Sequence, residues 1–201
     1  MAGLRERKKQ ATRQALGIAA MRLAVERGLE NVLVDDIAEA AGVSPRTFNN
    51  YFSSKYEAIC ALAVDRALRT GDALRARPPA EPLWTALHAA LLAEYRDDGG
   101  APDPSWTNGV RLVTGQPALE GEYRKAQALM RDALAEAIAE RLGTRPDDMY
   151  PLIVAGAATT ATEIATDRWL AADPPTSIQE HVDRALLELA LIWTRPLQET
   201  P

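Results

Sequence analysis

Four polar residues between positions 45 and 52 have side chains that can contact the edges of DNA bases. They are Arg46, Thr47, Asn49 and Asn50. Arg pairs with guanine, Asn pairs with adenine, and the methyl group of Thr contacts the methyl group of thymine. Because an α-helix turns by about 100° per residue, a helix that buries Phe48 and Phe52 would expose all four. We expect them to form a base-reading surface.

The residues before this surface predict a helix-turn-helix. Ile37 and Ala41 fall on one face of a first helix, and Gly42 follows where a helix needs a left-handed residue to end. Ser44 is a favourable N-cap, and Pro45 stands at the first helical position, where its missing N–H costs nothing. A second helix is therefore expected to begin at Pro45 and to carry the base-reading surface.

Residues around this second helix are expected to hold phosphate groups, which fix the register of a protein on DNA but carry no sequence information. Tyr51 lies at the edge of the predicted face, and Lys55 lies just beyond it. Ser44 and the first-helix residue Arg13 complete the predicted DNA-binding set. The alternative is an ordinary helical hairpin with a solvated polar face.

The same stretch contains several short motifs in a fixed order. They are Arg13–Leu23, Glu26-Arg27-Gly28, Asp36-Ile37-Ala38, Ala41-Gly42-Val43-Ser44, Thr47-Phe48, Tyr51-Phe52 and Lys55. With these motifs, residues 10–60 resemble the DNA-binding domain of the TetR family of transcriptional regulators. The resemblance implies an all-helical fold, DNA binding, and a C-terminal domain whose sequence diverges between members.

Two positions depart from the pattern that the resemblance implies. Leu33 stands where family members commonly have a Thr that caps the second helix and touches phosphate. We therefore expect capping to pass to Asp35 and no phosphate contact at Leu33. Ala24 stands where many members have a Phe, so we expect a lighter core in the small domain.

The net charge of −5 is unevenly distributed along the chain. Residues 1–60 carry nine Lys or Arg against seven Asp or Glu, whereas residues 61–201 carry fourteen against twenty-one. A cluster at Arg5–Lys9, together with Arg13, precedes the first apolar helix face. This cluster would add sequence-independent affinity for phosphate. For Arg5–Lys9 a solvated, flexible tail is an equal alternative.

Length and composition suit a protein of two domains. A chain of 201 residues with 47% hydrophobic content can bury a substantial core. The single Cys60 excludes an intramolecular disulfide, suits a reducing cytoplasm, and is expected to pack in the core rather than to react. Neither a signal peptide nor a membrane-spanning segment is evident.

After residue 55 the apolar pattern stays helical, and Pro and Gly divide it into segments. The predicted helices lie at 56–76, 81–96, 105–114, 117–142, 147–171 and 177–194. With three helices before them, we predict an all-α fold of about nine helices. Residues 1–55 would form the helix-turn-helix domain, and residues 56–201 a larger effector-binding and dimerisation domain.

The last two helices have the composition of an interface. Eight of the nine residues from Ala185 to Trp193 are apolar, so this helix requires cover on more than one side. The preceding helix is rich in small residues that permit close backbone approach. We expect a four-helix dimer interface, with an intramolecular core as the alternative. The predicted dimerisation residues are Gly156, Thr160, Val182, Ala185, Leu189 and Ile192.

An aromatic-lined cavity for a small, mostly apolar effector is expected in the larger domain. Its candidate lining residues are Trp84, His88, Trp106, Arg111, Glu163 and Trp169. The loop 97–105 would be an entrance or a mobile connection. For each candidate, a place in the core or on the surface is the alternative.

The residues of the sequence do not support an enzymatic function. His88 and His181 lie on different predicted helices beside a single Cys, so no metal-ligand spacing occurs, and there is no phosphate-binding glycine loop or nucleophile motif. We expect neither a cofactor nor a metal. The sequence favours a dimeric repressor that binds a palindromic operator and leaves it when an effector binds. The alternatives are a helix-turn-helix for protein contacts and a DNA-binding regulator without an effector.

Overall fold

All regular elements in the described part of the chain are helices. The computed structural model describes residues 3–95, 104–172 and 176–194. The α-helices are α1 (Leu4–Arg27), α2 (Val34–Ala40), α3 (Pro45–Asn49), α4 (Lys55–Ile59), α5 (Ala61–Arg75), α6 (Leu83–Ala93), α7 (Pro104–Gly115), α8 (Glu120–Leu142), α9 (Met149–Leu170) and α10 (Ile178–Thr194). Two 3₁₀ turns, Leu29–Asn31 and Pro117–Leu119, accompany them. The predicted all-α fold is confirmed.

The described residues form ten α-helices, one more than predicted, because the expected helix 56–76 is interrupted. α4 ends at Ile59, and α5 begins at Ala61 on the other side of Cys60. α4 has its own N-cap, since the Ser54 hydroxyl accepts a hydrogen bond from the Glu57 amide at 3.1 Å. The two short helices thus replace one long helix after the hairpin.

The chain groups into two compact units. The first joins Met1–Asp65 to Asp103–Ala126, and the second joins Arg66–Pro102 to Gln127–Pro201. This grouping differs from a division after residue 55, because residues 56–65 and 103–126 belong with the N-terminal part. α5 and α8 each begin in the first unit and end in the second.

The core of the first unit is built around α1. Leu16 of α1 is fully buried together with Ile37 of α2 and Phe48 of α3. α7 joins the same core through Val113. It approaches α1 closely at Gly109, where a Cβ atom would lie 3.1 Å from the sulfur of Met21. A helix far away in the sequence therefore contributes to the core beneath the hairpin.

The core of the second unit depends on close helix packing. α9 buries small residues such as Ala155 and Ala158, and α10 packs along it with Val182 and Leu186 fully buried. α5 and α8 meet at Gly71, where a Cβ atom would lie only 2.9 Å from the Cβ of Ala133. Among the described helices, none combines the length and the apolar character that crossing a lipid bilayer requires.

Candidate nucleic-acid interface

The turn between α2 and α3 depends on a left-handed glycine. Gly42 has φ of +68°, a conformation that residues with a Cβ atom rarely adopt. The chain then reverses, and the Val43 amide donates to the Ala38 carbonyl at 2.9 Å. Only a few residues separate the partners of this bond, which is why the turn could be predicted from the sequence.

α3 begins where the sequence predicts. Pro45 is its first residue, and the Ser44 hydroxyl accepts a hydrogen bond from the Thr47 amide at 3.1 Å. The same hydroxyl lies 2.9 Å from the Thr47 hydroxyl, so the two side chains also hydrogen-bond to each other. The predicted cap is confirmed, and Ser44 therefore fixes the first turn of α3.

Aromatic packing holds α3 with its polar side outward. Phe48 and Phe52 are buried, with their ring centroids 5.7 Å apart, and Tyr51 is half-buried against the same core. Arg46, Asn49 and Asn50 are exposed, whereas Thr47 is half-buried. The structure thus brings two of the exposed residues together on α3 and the third, Asn50, to its C-cap, beside the Thr47 methyl group.

The N-cap of α2 differs from the expected one, in which Asp35 supplies the capping carboxylate. α2 begins at Val34, and the side chain of its N-cap residue, Leu33, cannot accept a hydrogen bond. The carboxylate that contributes to the cap is therefore that of Asp36 rather than that of Asp35. The Asp36 carboxylate accepts a hydrogen bond from the Leu33 amide at 3.1 Å and lies 3.6 Å from the Arg27 guanidinium. Asp35 is exposed in the first turn, one residue too early to reach that amide.

Lys55, for which a phosphate contact is predicted, has hydrogen-bond partners within the chain. Its ammonium donates to the carbonyl oxygens of Leu29 at 2.9 Å and Val32 at 3.0 Å. Two of its three N–H donors are therefore occupied by the backbone of the turn that follows α1. The partners are backbone atoms more than twenty positions away, for which the sequence contains no signal.

Arg13, for which a phosphate contact is also predicted, likewise has a partner within the chain. Its guanidinium forms an ion pair with the buried carboxylate of Asp65 in α5. The guanidinium carbon also lies 5.2 Å from the centroid of the Phe52 ring. The exposed cations of α1 include Arg5, Arg7, Lys8 and Lys9 near its N-terminal end. These four residues belong to the helix itself, which begins at Leu4.

Cys60 is buried immediately behind the hairpin, as predicted. Burial raises the pKa of its thiol from about 9.0 to about 12, and the negative charge of Glu122 adds to the increase. The thiol is therefore neutral at ordinary pH and acts as a small apolar group of the core.

Two regions of the chain match known families. Residues 18–59 match the family described as bacterial regulatory proteins, tetR family, and residues 81–193 match the family described as the MftR C-terminal domain. The chain belongs to the TetR family. The transcriptional regulator TcmR of Streptomyces glaucescens is 32% identical over 208 residues, which cover 96% of this chain and 91% of the relative.

Solved structures of TetR-family proteins share the fold. A regulator from Syntrophomonas wolfei has a TM-score of 0.69 at 14% identity and covers 96% of this chain and 100% of its own. The Thermus thermophilus repressor FadR, solved in complex with lauroyl-CoA, has a TM-score of 0.52 at 21% identity, with coverages of 94% and 98%. The family matches and the similarity to TcmR make the chain a DNA-binding transcriptional regulator and not an enzyme.

The predicted effector residues of this TetR-family chain divide between the two units. Trp106 and Arg111 lie on α7 in the first unit, and the other four lie in the second. Arg111 is exposed and donates to the Asn108 side-chain oxygen at 3.2 Å. Residues 97–103 of the predicted entrance loop lie outside the described residues.

Within the second unit, the remaining candidates have distinct surroundings. Trp84 lines a cavity of about 350 Å³ together with Leu83, Tyr150, Val154, Ala157, Leu189 and Ala190. His88 of α6 approaches Asp183 of α10, with Nε2 and Oδ1 2.8 Å apart, and Glu163 is half-buried on α9. Trp169 is buried, and its indole N–H donates to the Thr176 carbonyl at 2.9 Å. It is a core residue whose hydrogen-bonding capacity is already satisfied.

Several large apolar side chains of α9 and α10 are exposed, and we call this set the α9–α10 face. It consists of Met149, Tyr150, Leu152, Ile153, Ile164, Leu187, Leu191 and Ile192. A groove of about 830 Å³ lies between the two helices, and four predicted dimerisation residues line it: Thr160, Ala185, Leu189 and Ile192. Gly156 is half-buried on α9.

The assignment of Val182 to the dimer interface is corrected by its burial. Val182 has no accessible surface, and Ile178 and Leu186 on the same side of α10 are buried as well. The predicted interface set, which was based on helical spacing, contains residues that are buried in the core of their own chain as well as residues that are more accessible. Periodicity identifies an apolar helix face but does not say which molecule covers it.

Proposed function

We propose that this TetR-family regulator is a dimeric repressor that binds a palindromic operator and releases it when a small, mostly apolar effector binds. The observation that carries the proposal is the exposure of Arg46, Asn49 and Asn50 on α3 and its C-cap. Ser44 fixes the start of that helix, and Phe48 holds it on the core. Acting on bacterial DNA, the protein would work in the cytoplasm.

A dimer is favoured by the shortness of α3 and by the α9–α10 face. A helix of five residues reaches only a few base pairs, so one copy would select its site poorly. Two copies separated by about 34 Å would contact successive major grooves of a palindrome. An apolar face of this extent, with Ile153, Ile164 and Ile192 each at least half exposed, is typical of a surface that another protein covers.

The effector is supported by the cavity beside Trp84 and by one structural relative. The walls of that cavity are mostly apolar, and the Thermus FadR repressor binds lauroyl-CoA. Because α5 and α8 each begin in the first unit and end in the second, a ligand that displaces either helix would act on both units. An effector that weakens operator binding must itself bind more weakly to the operator complex, by the same factor.

Selection from a random duplex library with the purified full-length chain tests the DNA-binding part. One sequence family with two-fold symmetry should be enriched. Arg46→Ala and Asn50→Ala should each weaken binding to that duplex by about 1–3 kcal/mol, while affinity for a scrambled duplex changes much less. Fluorescence anisotropy with both duplexes measures the difference.

Arg131→Ala is the matched control, because Arg131 is an exposed cation of α8 that pairs with its neighbour Asp132. It removes the same charge and should change neither affinity. If no sequence is enriched while a partner protein binds the hairpin, the helix-turn-helix serves protein contacts. If Arg46→Ala and the control behave alike on both duplexes, the proposed base-reading surface is wrong.

A titration with compounds that carry a large apolar group, including lauroyl-CoA with its acyl chain, tests the effector. Tryptophan emission and operator binding are followed in the same samples, in the wild type and in Trp84→Phe. The expected result is a compound that changes emission and lowers operator affinity with one midpoint. A compound that changes emission but leaves operator affinity intact at saturation would contradict the coupling. A panel without any binder would favour a regulator that needs no effector.

A further inference from the structure

A partly buried ion pair in the first unit joins α5 to α1 and lies against Phe52, close to the recognition helix α3. We infer that Arg13 and Asp65 act as positioning residues that hold α3 in its DNA-binding orientation, without contacting DNA. The inference rests on the proposed reading of an operator by α3. Its structural basis is a continuous series of contacts from Asp65 through Arg13 and Phe52 to Phe48.

The first contact of the series fixes the guanidinium of Arg13. Asp65 is 5% exposed, and it is one of the few charged or polar side chains buried in the described part of the chain. A carboxylate removed from water requires a partner of opposite charge, and Arg13 of α1 supplies it. The carboxylate in turn restricts the guanidinium to one position, since its hydrogen-bonding geometry is directional.

The second contact transmits that position to the hairpin. The Arg13 guanidinium lies over the Phe52 ring, 5.2 Å from its centroid. Phe52 follows α3 almost directly, and its amide donates to the Phe48 carbonyl at 3.0 Å. The two Phe rings also pack together beneath α3. A displaced guanidinium would therefore remove the support under the C-terminal end of the recognition helix.

The net charge of the Arg13–Asp65 pair distinguishes a positioning role from a phosphate contact. Arg13 is already neutralised by Asp65, so the pair as a whole adds no positive charge for a phosphate to attract. If Arg13 contacted phosphate instead, Asp65 would oppose DNA binding, and its removal would strengthen affinity. If the pair positions α3, removal of Asp65 weakens operator affinity. The two roles thus predict opposite signs for the same substitution.

The deciding variant is Asp65→Asn in the full-length chain, measured on the selected operator duplex and on a scrambled duplex. The positioning role predicts about a 3- to 30-fold loss on the operator and a change of less than about twofold on the scrambled duplex. Asp35→Asn is the matched control, because Asp35 is an exposed carboxylate near the hairpin. It should not weaken operator binding. Tighter operator binding by Asp65→Asn would overturn the inference.

The salt dependence of Arg13→Met provides a second criterion. Loss of one phosphate contact lowers the slope of log affinity against log salt by about one, whereas loss of positioning leaves the slope unchanged. We expect an unchanged slope and an operator loss similar to that of Asp65→Asn. In Arg13→Met/Asp65→Asn the losses should not add, because both changes break one contact. A slope lowered by about one, or additive losses, would contradict positioning.

Folding is monitored by circular dichroism and thermal unfolding in every variant. A merely structural role would reduce the folded fraction and would lower affinity for both duplexes equally. If Arg13→Met does not fold, Arg13→Lys retains the charge and the ion pair but lacks the planar group over Phe52. It should keep part of the operator preference. If the wild-type protein prefers neither duplex, the proposed function is contradicted. If every variant keeps the operator preference of the wild type, only this inference is contradicted.

Discussion

The helix-turn-helix and the α9–α10 pair are both two-helix substructures with an exposed face, yet they expose opposite kinds of residue. Around α3 the apolar side chains are buried and Arg46, Asn49 and Asn50 reach solvent. On the α9–α10 face the exposed residues are large and apolar, and Ile192 is 71% accessible. A polar face suits a partner made of phosphates and base edges, whereas an apolar face suits a second protein surface.

The two substructures also differ in the range of their stabilising contacts. The turn and the cap of the hairpin are formed by bonds over a few positions, such as Ser44 with Thr47 and Val43 with Ala38. α9 and α10 are held by packing between side chains some twenty to thirty positions apart, including Ala158 and Leu186. We therefore expect that in α10 some single substitutions affect folding and others affect only dimer assembly. In α3, some should affect folding and others only DNA binding.

The largest expected effect distinguishes the two sides of α10. Val182→Glu places a carboxylate in the core, which should cost about 4–5 kcal/mol and abolish cooperative folding. Ile192→Glu lies at an exposed position, so the monomer should stay within about 0.5 kcal/mol of the wild type while the dimer dissociates. Urea denaturation and sedimentation velocity measure the two properties. A folded, dimeric Ile192→Glu protein would remove this face from the proposed interface.

A smaller effect compares two helical glycines. Gly71→Ala should destabilise the chain by about 1–3 kcal/mol, because the new methyl group would lie 2.9 Å from the Cβ of Ala133. Gly156→Ala meets no described atom within 4 Å and should stabilise the monomer by up to about 1 kcal/mol. Chemical denaturation at low protein concentration gives both values. A dimer weakened by Gly156→Ala would indicate close helix approach there, and an unchanged dimer would contradict it.

Substitutions at the two ends of α3 should affect stability and DNA recognition separately. Ser44→Ala removes the cap of α3 and should cost about 1 kcal/mol of unfolding free energy. Asn49→Ala should leave stability intact and weaken operator binding, because its side chain is exposed and reads bases in the proposed function. Thermal unfolding and anisotropy on the same samples give the comparison. Equal losses of stability in both variants would argue against this division of roles.

The smallest effect concerns Cys60, whose pKa is raised to about 12 by burial. In the unfolded chain the thiol ionises near pH 9.0, whereas the folded thiol stays neutral. Its contribution to stability is therefore complete below pH 9 and is lost as the pH rises toward 12. Cys60→Ala should flatten that part of the stability profile. Folded protein should also react with iodoacetamide at pH 8 roughly a hundredfold more slowly than unfolded protein, measured by mass spectrometry.

The amino-acid sequence by itself determined the helical fold and the recognition hairpin. Ser44, Pro45 and Gly42 act through bonds and backbone angles within a few residues, so their signals are complete in the local sequence. The family resemblance rests on the same stretch, and both were confirmed. The exposed polar face of α3 followed from helical geometry once Phe48 was assigned to the core.

Only the tertiary structure decided which long-range partner each remaining residue has. Arg13 pairs with Asp65 across 52 positions, and Lys55 binds carbonyl groups 23 and 26 positions away. The burial of Val182 and the membership of α7 in the first unit were also decided by contacts between residues far apart in the sequence. Charge, length and periodicity are properties of a residue and its neighbours, whereas the choice among equally suitable distant partners is made when the helices pack and exclude water.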